Sequence, residues 1–300
     1  MPRVPTTVSG WPFLVLLVAL AFPNSAAQTL PRGIEDRSER FPFVVEIAQY
    51  GRMICSGTVL YPRVVVTSAH CLQQVTRALG RRFYVDAYLQ PKELFVHVVM
   101  KGRMRSFAVA SVEIAPGWLG GEKSQSSSAR LPHDLALLVT AAPIAVDLPR
   151  AVSDTDPASL PRPSTVKTGR PGVLVAFGGT RCLAPGDCDD AGVRRYLPVT
   201  LKDAADCFKT RLDRDAGLPE TIWCMDETVL PGDSGGALLI EDEDEALRYV
   251  GVISAQRGLP PELATVSGRR QSAATALSAN LDFIEETARS LGYGRASSDP

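Results

Sequence analysis

Short apolar segments separated by Gly, Pro and Asp run through most of this 300-residue chain, beginning at residue 43. Each segment is rich in Val, Ile, Leu and aromatic residues, which favour strands, and the residues between them favour turns. The segments span residues 43–47, 58–66, 83–89, 94–100, 108–114, 135–139, 173–177, 237–240 and 249–254. Many short strands with frequent turns predict an all-β barrel or sandwich.

Helical periodicity is convincing only over residues 279–291, where Asn280 is a candidate N-cap. Four apolar residues recur there at helical spacing, namely Leu281, Ile284, Ala288 and Leu291. We therefore expect one C-terminal helix, followed by a flexible tail over residues 293–300. The acidic run 241–245 lies between two predicted strands and is interpreted as a solvated hairpin tip, with a calcium or exosite role as the alternative.

The first segment of the chain has the composition of a secretion signal. Residues 11–22 are almost wholly apolar, and Ser25-Ala26-Ala27 supplies small residues for cleavage. The alternative is a membrane anchor, but the apolar run is shorter than the roughly 20 residues that a spanning helix needs. We expect residues 1–27 to be a cleaved signal peptide and the protein to be secreted, with no stable membrane anchor.

Charge and cysteine content exclude other classes of function. The 32 basic and 33 acidic residues give a net charge of -1, so no global field draws the protein to nucleic acid. An even number of cysteines in an exported chain favours disulfides over metal ligands, although spacing alone leaves their pairing open. These cysteines are Cys55, Cys71, Cys182, Cys188, Cys207 and Cys224. With three histidines and no Cys-x-x-Cys pair, we expect no metal site and no cofactor.

The segment Gly232-Asp233-Ser234-Gly235-Gly236 is the most informative in the chain. A serine hydroxyl attacks a carbonyl only when a base removes its proton, and the resulting oxyanion needs positioned N–H donors. Glycines around the serine allow the backbone to approach a substrate closely. The pattern Gly-x-Ser-x-Gly also describes the nucleophile turn of α/β-hydrolases, and by itself it also fits a turn between two strands.

The order of residues along the chain separates these interpretations. An α/β-hydrolase needs its histidine after its serine, but His70, His97 and His133 all precede Ser234. The subtilisin order needs an acid before the histidine, and the context of Ser234 does not resemble that family. The remaining order is histidine, aspartate, serine.

His70 and Asp134 occupy suitable contexts for the other two roles. His70 follows an apolar strand that ends in small residues, and Asp134 opens the apolar run 134–138, which can bury a carboxylate beside an imidazole. Taken alone, His70 fits a packed or surface histidine and Asp134 a turn or cap residue. Together and in this order they predict a triad, with Ser234 as nucleophile, His70 as general base and Asp134 orienting the base.

Three segments together resemble the chymotrypsin and trypsin-like serine proteases: Val66-Thr67-Ser68-Ala69-His70-Cys71, Asp134-Leu135-Ala136-Leu137-Leu138 and Gly232-Asp233-Ser234-Gly235-Gly236. The resemblance implies two six-stranded antiparallel β-barrels with the active site between them, over a domain of residues 34–292. It also implies an oxyanion hole formed by the backbone N–H groups of Gly232 and Ser234.

The same resemblance implies the disulfides and the specificity pocket. Cys55 then pairs with Cys71 and Cys207 with Cys224, which leaves Cys182 and Cys188 to pair with each other. The family position at the pocket floor is Thr228, and the positions of the walls are Ser254, Gln256 and Ser272. These residues predict a preference for small or medium uncharged side chains over Arg or Lys, although Asp226 or Glu227 could still reach the pocket.

Activation in this family pairs a new N-terminal ammonium with the aspartate before the nucleophile, here Asp233. The family's usual spacing places that terminus at Leu30, within a short activation segment over residues 28–33. Two routes stay open. Either Gln28-Thr29 is trimmed to expose Leu30, or the chain is cut after Arg32.

The sequence thus predicts a secreted, monomeric serine endopeptidase that acts on proteins or peptides and is a target for protein inhibitors. The alternative is a non-catalytic binding protein on the same fold, because folds outlive their chemistry.

Overall fold

The structure is a computed structural model that describes most of the chain from residue 33 to residue 293. The described residues are 33–78, 81–119, 130–148, 160–179, 182–184, 187–188, 192–203, 215, 217–225, 229–241, 247–257 and 271–293. The predicted signal peptide, residues 28–32 of the activation segment and residues 294–300 of the tail lie outside them. So does most of the acidic run.

Six antiparallel strands of the first half of the chain close into a barrel. The strands of this half are β1 (Ile34–Glu35), β2 (Val44–Gln49), β3 (Arg52–Tyr61), β4 (Val64–Thr67), β5 (Gln73–Ala78), β6 (Arg81–Tyr88), β7 (Leu94–Met100), β8 (Arg103–Ile114) and β9 (Ala136–Thr140). The barrel order is β2-β3-β4-β9-β8-β7, and β5 pairs with β6 as a separate hairpin.

A second antiparallel barrel follows. Its half of the chain contains β10 (Pro171–Ala176), β11 (Cys182–Ala184), β12 (Asp187–Cys188), β13 (Arg195–Lys202), β14 (Ile222–Met225), β15 (Ala237–Glu241), β16 (Leu247–Arg257) and β17 (Gln271–Ala276). The order is β13-β10-β15-β16-β17-β14, and the barrel closes because Leu201 and Lys202 of β13 also pair with β14. Strand β1 pairs with Arg195 and Tyr196, at the start of β13. The prediction of two six-stranded barrels is confirmed.

Helices are few and short, apart from the last. The described α-helices are α1 (Pro116–Leu119), α2 (Leu218–Thr221) and α3 (Leu281–Ser290), and α3 confirms the predicted C-terminal helix. Asn280 occupies the N-cap position of α3, as expected, but its side chain makes no capping hydrogen bond. Its amide instead donates to the carbonyls of Pro132 at 2.9 Å and Ala276 at 3.2 Å. No helix in the described part of the chain is long and apolar enough to cross a membrane.

The strand pattern differs from the sequence prediction in several places. The sequence did not predict β1, β5, β11, β12, β13 or β14, and two further differences have a clear physical reason. The run 58–66 is divided between β3 and β4, with a turn at Pro62, because proline has no N–H to continue a ladder. Strand β17 was missed because its sequence, Gln-Ser-Ala-Ala-Thr-Ala, has little β propensity. It is a strand because it fills the gap between β16 and β14 in a closed barrel.

The strands that lead to the candidate site are buried along their whole length. Every residue of β4 and β9 is buried. One apolar cluster contains residues from both barrels, including Val66 and Leu137 of the first and Phe177 and Val252 of the second. Because this shared core fixes the barrels against each other, the residues just beyond β4 and just before β9 have defined positions.

A buried ion pair fastens the start of the described chain to the second half of the fold. The Arg194 Nε donates to Asp36 Oδ2 at 2.8 Å, and these side chains are 4% and 0% exposed. Asp36 also accepts the backbone N–H groups of Arg40 and Phe41. The Asp36 carboxylate therefore organises the turn that carries the chain into the first barrel.

Replacing Asp36 by alanine is expected to lower the free energy of unfolding by about 3–5 kcal/mol, because the Arg194 charge stays buried without its partner. Denaturant titration of the folded protein measures this loss. The neighbouring variant Glu35→Ala is the matched control, since the Glu35 carboxylate that pairs with Arg37 and Arg195 is 41% exposed and exposed pairs contribute about 0–1 kcal/mol. Equal losses in the two variants would contradict the prediction.

Candidate active site

His70 lies in a 3-10 turn, Ala69–Cys71, that directly follows β4. A disulfide joins Cys71 of this turn to Cys55 in β3, which is the pairing that the resemblance implied. The turn is thus held on one side by a buried strand and on the other by a covalent bond. The imidazole of His70 is 21% exposed, so it can reach both solvent and the protein interior.

Asp134 follows a second 3-10 turn, Leu131–His133, and precedes β9. Residues of the second half of the fold hold this turn, because Thr275 Oγ1 donates to the Leu131 carbonyl at 2.8 Å and the Asn280 amide donates to the Pro132 carbonyl. The carboxylate itself is buried, with 2% of its side chain exposed.

The His70 ring and the Asp134 carboxylate form a close pair. His70 Nδ1 lies 2.7 Å from Asp134 Oδ2, and the backbone N–H of His70 donates to Oδ1 at 2.9 Å. The hydroxyl of Ser254 also donates to Oδ2. Because an ionised carboxylate only accepts, the proton of the neutral imidazole lies on Nδ1, and Nε2 carries the lone pair that can take another proton.

The environment shifts the pKa of His70 upward. Burial lowers the pKa of His70, but the negative charge of Asp134 and its hydrogen bond raise it by more, so the pKa of His70 lies above its ordinary value. Asp134 therefore stabilises the imidazolium as well as orienting the neutral ring.

Ser234 lies in a tight turn between Leu230 and β15. Backbone hydrogen bonds close the turn, from Asp233 N–H to the Leu230 carbonyl at 3.0 Å and from Gly236 N–H to the Asp233 carbonyl at 2.9 Å. A trans peptide places its C=O and N–H on opposite sides. The Ser234 N–H therefore points away from Gly236, on the side opposite the Asp233 carbonyl.

One carbonyl brings the histidine and serine segments together. The Ile253 carbonyl accepts the Gly235 N–H at 2.7 Å and the Ser68 hydroxyl at 2.7 Å. Ser68 is two residues before His70, and Gly235 directly follows Ser234. The next residue of β16 is Ser254, which binds Asp134. The structure thus collects the histidine, aspartate and serine segments at one point of the barrel boundary.

Two glycines near Ser234 are required by close backbone approach. At Gly235, where φ is +84°, an added Cβ would lie 2.1 Å from the Ser56 carbonyl oxygen. At Gly178 an added Cβ would lie 2.2 Å from the Asp233 carboxylate. Any side chain at either position would push the Ser234 turn away from its supports.

The Asp233 carboxylate accepts the backbone N–H of Leu230 at 2.7 Å and that of Gly178 at 3.1 Å. The segment predicted to supply an N-terminal ammonium to Asp233 lies outside the described residues. That pairing stays a prediction.

The predicted pocket residues have different outcomes. Ser254 is buried, and its contact with Asp134 is one that the sequence analysis missed, because 120 residues separate the two. Ser272 is also buried, and its hydroxyl accepts the Val229 N–H at 3.0 Å. Gln256 pairs with Ser272 in the ladder of β16 and β17, and its side chain is not described. Thr228 lies outside the described residues, as do Asp226 and Glu227, so the specificity stays a prediction.

The other two histidines have contacts of their own. His97 is 5% exposed, and its Nδ1 lies 3.0 Å from Glu46 Oε1 across the pairing of β2 with β7. The His133 ring covers Gly117, where an added Cβ would lie 2.3 Å from the ring. His97 and His133 thus belong to the packing of the first half of the fold.

The remaining cysteines are described only in part. Cys224 is disulfide-bonded, and its predicted partner Cys207 lies outside the described residues. Cys182 and Cys188 face each other in the β11–β12 ladder, which is compatible with the pairing that the resemblance leaves to them. The sulfurs of Cys55 and Cys71 lie within 4.8 Å of a His70 ring nitrogen, but their disulfide prevents them from acting as thiolate ligands.

Two closed six-stranded barrels with a histidine, an aspartate and a serine at their boundary define the class of protein as trypsin-like. Residues 31–265 match the family described as Trypsin, and the chain therefore belongs to the trypsin family of serine proteases. The chain is also similar to Hypodermin-A of Hypoderma lineatum, with 30% identity over 73 residues. That match covers 21% of this chain and 28% of Hypodermin-A.

Proposed function

We propose that this protein is a secreted serine endopeptidase that hydrolyses peptide bonds in protein or peptide substrates. The observation that carries the proposal is the close His70–Asp134 pair, whose supports are shared with the Ser234 turn through the Ile253 carbonyl. An orienting carboxylate, a base with a second ring nitrogen to take the proton and a serine held on the same scaffold are the parts that acyl transfer needs.

The reaction proceeds in two halves. His70 Nε2 takes the proton of the Ser234 hydroxyl while Oγ bonds to the substrate carbonyl carbon, and the carbonyl electrons move to its oxygen. The protonated His70 then gives its proton to the leaving amine as the C–N bond breaks, which leaves an acyl-enzyme. In the second half, water gives a proton to His70 while its oxygen bonds to the acyl carbon. The protonated His70 then returns a proton to Ser234 as the acyl–serine bond breaks.

The oxyanion in each half accepts hydrogen bonds from the backbone N–H groups of Gly232 and Ser234. The closed turn from Leu230 to Gly236 supports this role, because the hydrogen bond from Gly236 N–H to the Asp233 carbonyl fixes the peptide plane that carries the Ser234 N–H. Preorganised donors cost no rearrangement when the charge develops.

Specificity and activation complete the proposal. The pocket accepts small or medium uncharged side chains in preference to Arg or Lys. After signal removal, a terminus at Leu30 pairs with Asp233. Sequencing the N-terminus of the secreted, active form decides this point, and a start at Gln28 would contradict both activation routes.

A fluorophosphonate probe tests the proposed activity, because it labels only an activated serine. We expect the secreted protein to be labelled and Ser234→Ala to remain unlabelled. Ser164→Ala is the control, since Ser164 is an exposed serine in a 3-10 turn, and it is expected to label like the native protein. A folded native protein that is never labelled would favour the non-catalytic binding protein instead.

A further inference from the structure

Ser56, in β3 of the first barrel, is fully buried and contacts the Ser234 turn with both its side chain and its backbone. We propose that Ser56 is a positioning residue that holds the oxyanion hole in its working geometry from the opposite barrel. This inference rests on the proposed function. Ser56 itself does not contact the reacting atoms.

The first contact fixes the peptide plane between Gly232 and Asp233. The Ser56 hydroxyl donates to the Gly232 carbonyl at 2.8 Å. The N–H of the same plane, that of Asp233, donates to the Leu230 carbonyl at 3.0 Å. A plane held at both edges cannot rotate without breaking a hydrogen bond.

A second contact sets the direction of that hydroxyl. The backbone N–H of Phe177, in the second barrel, donates to Ser56 Oγ at 2.9 Å. The hydroxyl has one hydrogen, and Phe177 occupies a lone pair of its oxygen, so the hydrogen is directed to the Gly232 carbonyl. The Ser56 side chain thus joins two segments of the second barrel to each other.

The backbone of Ser56 fixes a second peptide plane, between Ser234 and Gly235. The Ser56 N–H donates to the Ser234 carbonyl at 2.8 Å, and the Gly235 N–H donates to the Ile253 carbonyl at 2.7 Å. The Ser56 carbonyl in turn accepts the Thr67 hydroxyl at 2.7 Å, and Thr67 is three residues before His70. Ser56 therefore links the serine turn to the histidine segment.

These contacts bear on the two proposed oxyanion donors. The Ser234 N–H lies in the peptide plane between the two that Ser56 holds, and the Gly232 N–H lies on the other side of Gly232. Gly232 has a φ of +96° and no side chain, so its dihedral angles are less restricted than those of a residue with a side chain. Without the Ser56 hydroxyl, the Gly232 carbonyl loses its hydrogen-bond donor from the first barrel. The backbone can then rotate at Gly232, which turns the Gly232 N–H away from the oxyanion.

The test is Ser56→Ala, which removes the side-chain contacts and keeps the backbone ones. Loss of a complete oxyanion donor costs roughly 10²–10³-fold in kcat, so we expect the loss of its support to cost about 10- to 100-fold in kcat, with little change in KM. Affinity for a peptide boronate, which mimics the tetrahedral intermediate, is expected to fall by the same factor as kcat/KM. All rates are expressed per active site, counted by end-point fluorophosphonate labelling.

Thr140→Val is the matched control, because the Thr140 hydroxyl is also buried and also donates to a backbone carbonyl, that of Ala142 at 2.7 Å. We expect it to lower Tm without changing kcat or boronate affinity. Ser56→Thr keeps a hydroxyl at position 56, so it is expected to retain kcat per active site even where the added methyl group lowers Tm, and it serves if Ser56→Ala does not fold.

The outcomes separate this inference from the proposed function. Native protein that hydrolyses peptides, with Ser56→Ala equal to it in kcat and boronate affinity, would overturn the positioning role and leave the protease proposal intact. A Ser56→Thr variant that loses as much kcat as Ser56→Ala would also overturn the positioning role. Native protein that neither labels nor hydrolyses peptides would overturn both.

Discussion

Replacing Ser234 by alanine is expected to lower kcat by about 10⁶-fold, the scale on which serine proteases lose turnover with their nucleophile. The hydroxyl is the atom that forms the acyl-enzyme, and alanine offers no substitute. Initial rates on a peptide library, compared with the native protein at equal concentration, measure the loss.

The fold of Ser234→Ala is expected to be unchanged, because the contact that ties Ser234 to the first barrel uses its carbonyl oxygen, which accepts the Ser56 N–H. Alanine keeps that carbonyl. A Tm close to that of the native protein therefore accompanies the loss of turnover, and a variant that kept its turnover would remove Ser234 from the mechanism.

Replacing Asp134 by asparagine is expected to lower kcat by about 10⁴-fold, because the base is held in the wrong tautomer. The carboxylate accepts the backbone N–H of His70 on one oxygen, and His70 Nδ1 with the Ser254 hydroxyl on the other. An amide has only one oxygen. If its oxygen keeps the backbone N–H, its NH₂ faces Nδ1, and the ring proton moves to Nε2, which then cannot accept the Ser234 proton.

The same variant changes the pH dependence. In the native protein kcat/KM is expected to fall as the pH drops through a His70 pKa that Asp134 holds above its ordinary value, because the charged ring is no base. Removing the negative charge shifts the pKa of His70, and with it the acidic limb of the profile, to lower pH. Asp282→Asn, at an exposed aspartate in the first turn of α3, is the control and is expected to match the native profile.

The raised pKa of His70 also makes the free energy of unfolding depend on pH. A folded-state pKa above the unfolded value means that protonation of His70 stabilises the fold; this contribution is complete below the unfolded pKa and is lost as the pH rises through the folded pKa. In Asp134→Asn this stabilisation at low pH is expected to be absent. Denaturant titration on both sides of neutral pH measures it, and an unchanged difference would mean that Asp134 does not control the titration of His70.

The sequence predicted a strand or a helix correctly where buried positions leave a recognisable pattern of apolar residues. Strands β4 and β9 are buried along their whole length and are apolar up to a final threonine, and the buried face of α3 contains Ile284 and Ala288. Strand β17 could not be read in this way, since its small residues are strand only by pairing with β16 and β14. Its conformation is imposed by the barrel and not by local propensity.

Of the candidate site, the sequence alone predicted which residues would carry the chemistry, because the identity and order of His70, Asp134 and Ser234 admit few mechanisms. Only the tertiary structure decided what supports them. The Ser254–Asp134 and Ser56–Gly232 contacts join residues 120 and 176 positions apart. In the sequence, a serine that makes such a contact cannot be distinguished from any other serine. Hydrogen bonds of this kind depend on how the two closed barrels pack against each other, and a local pattern of residues does not predict that packing.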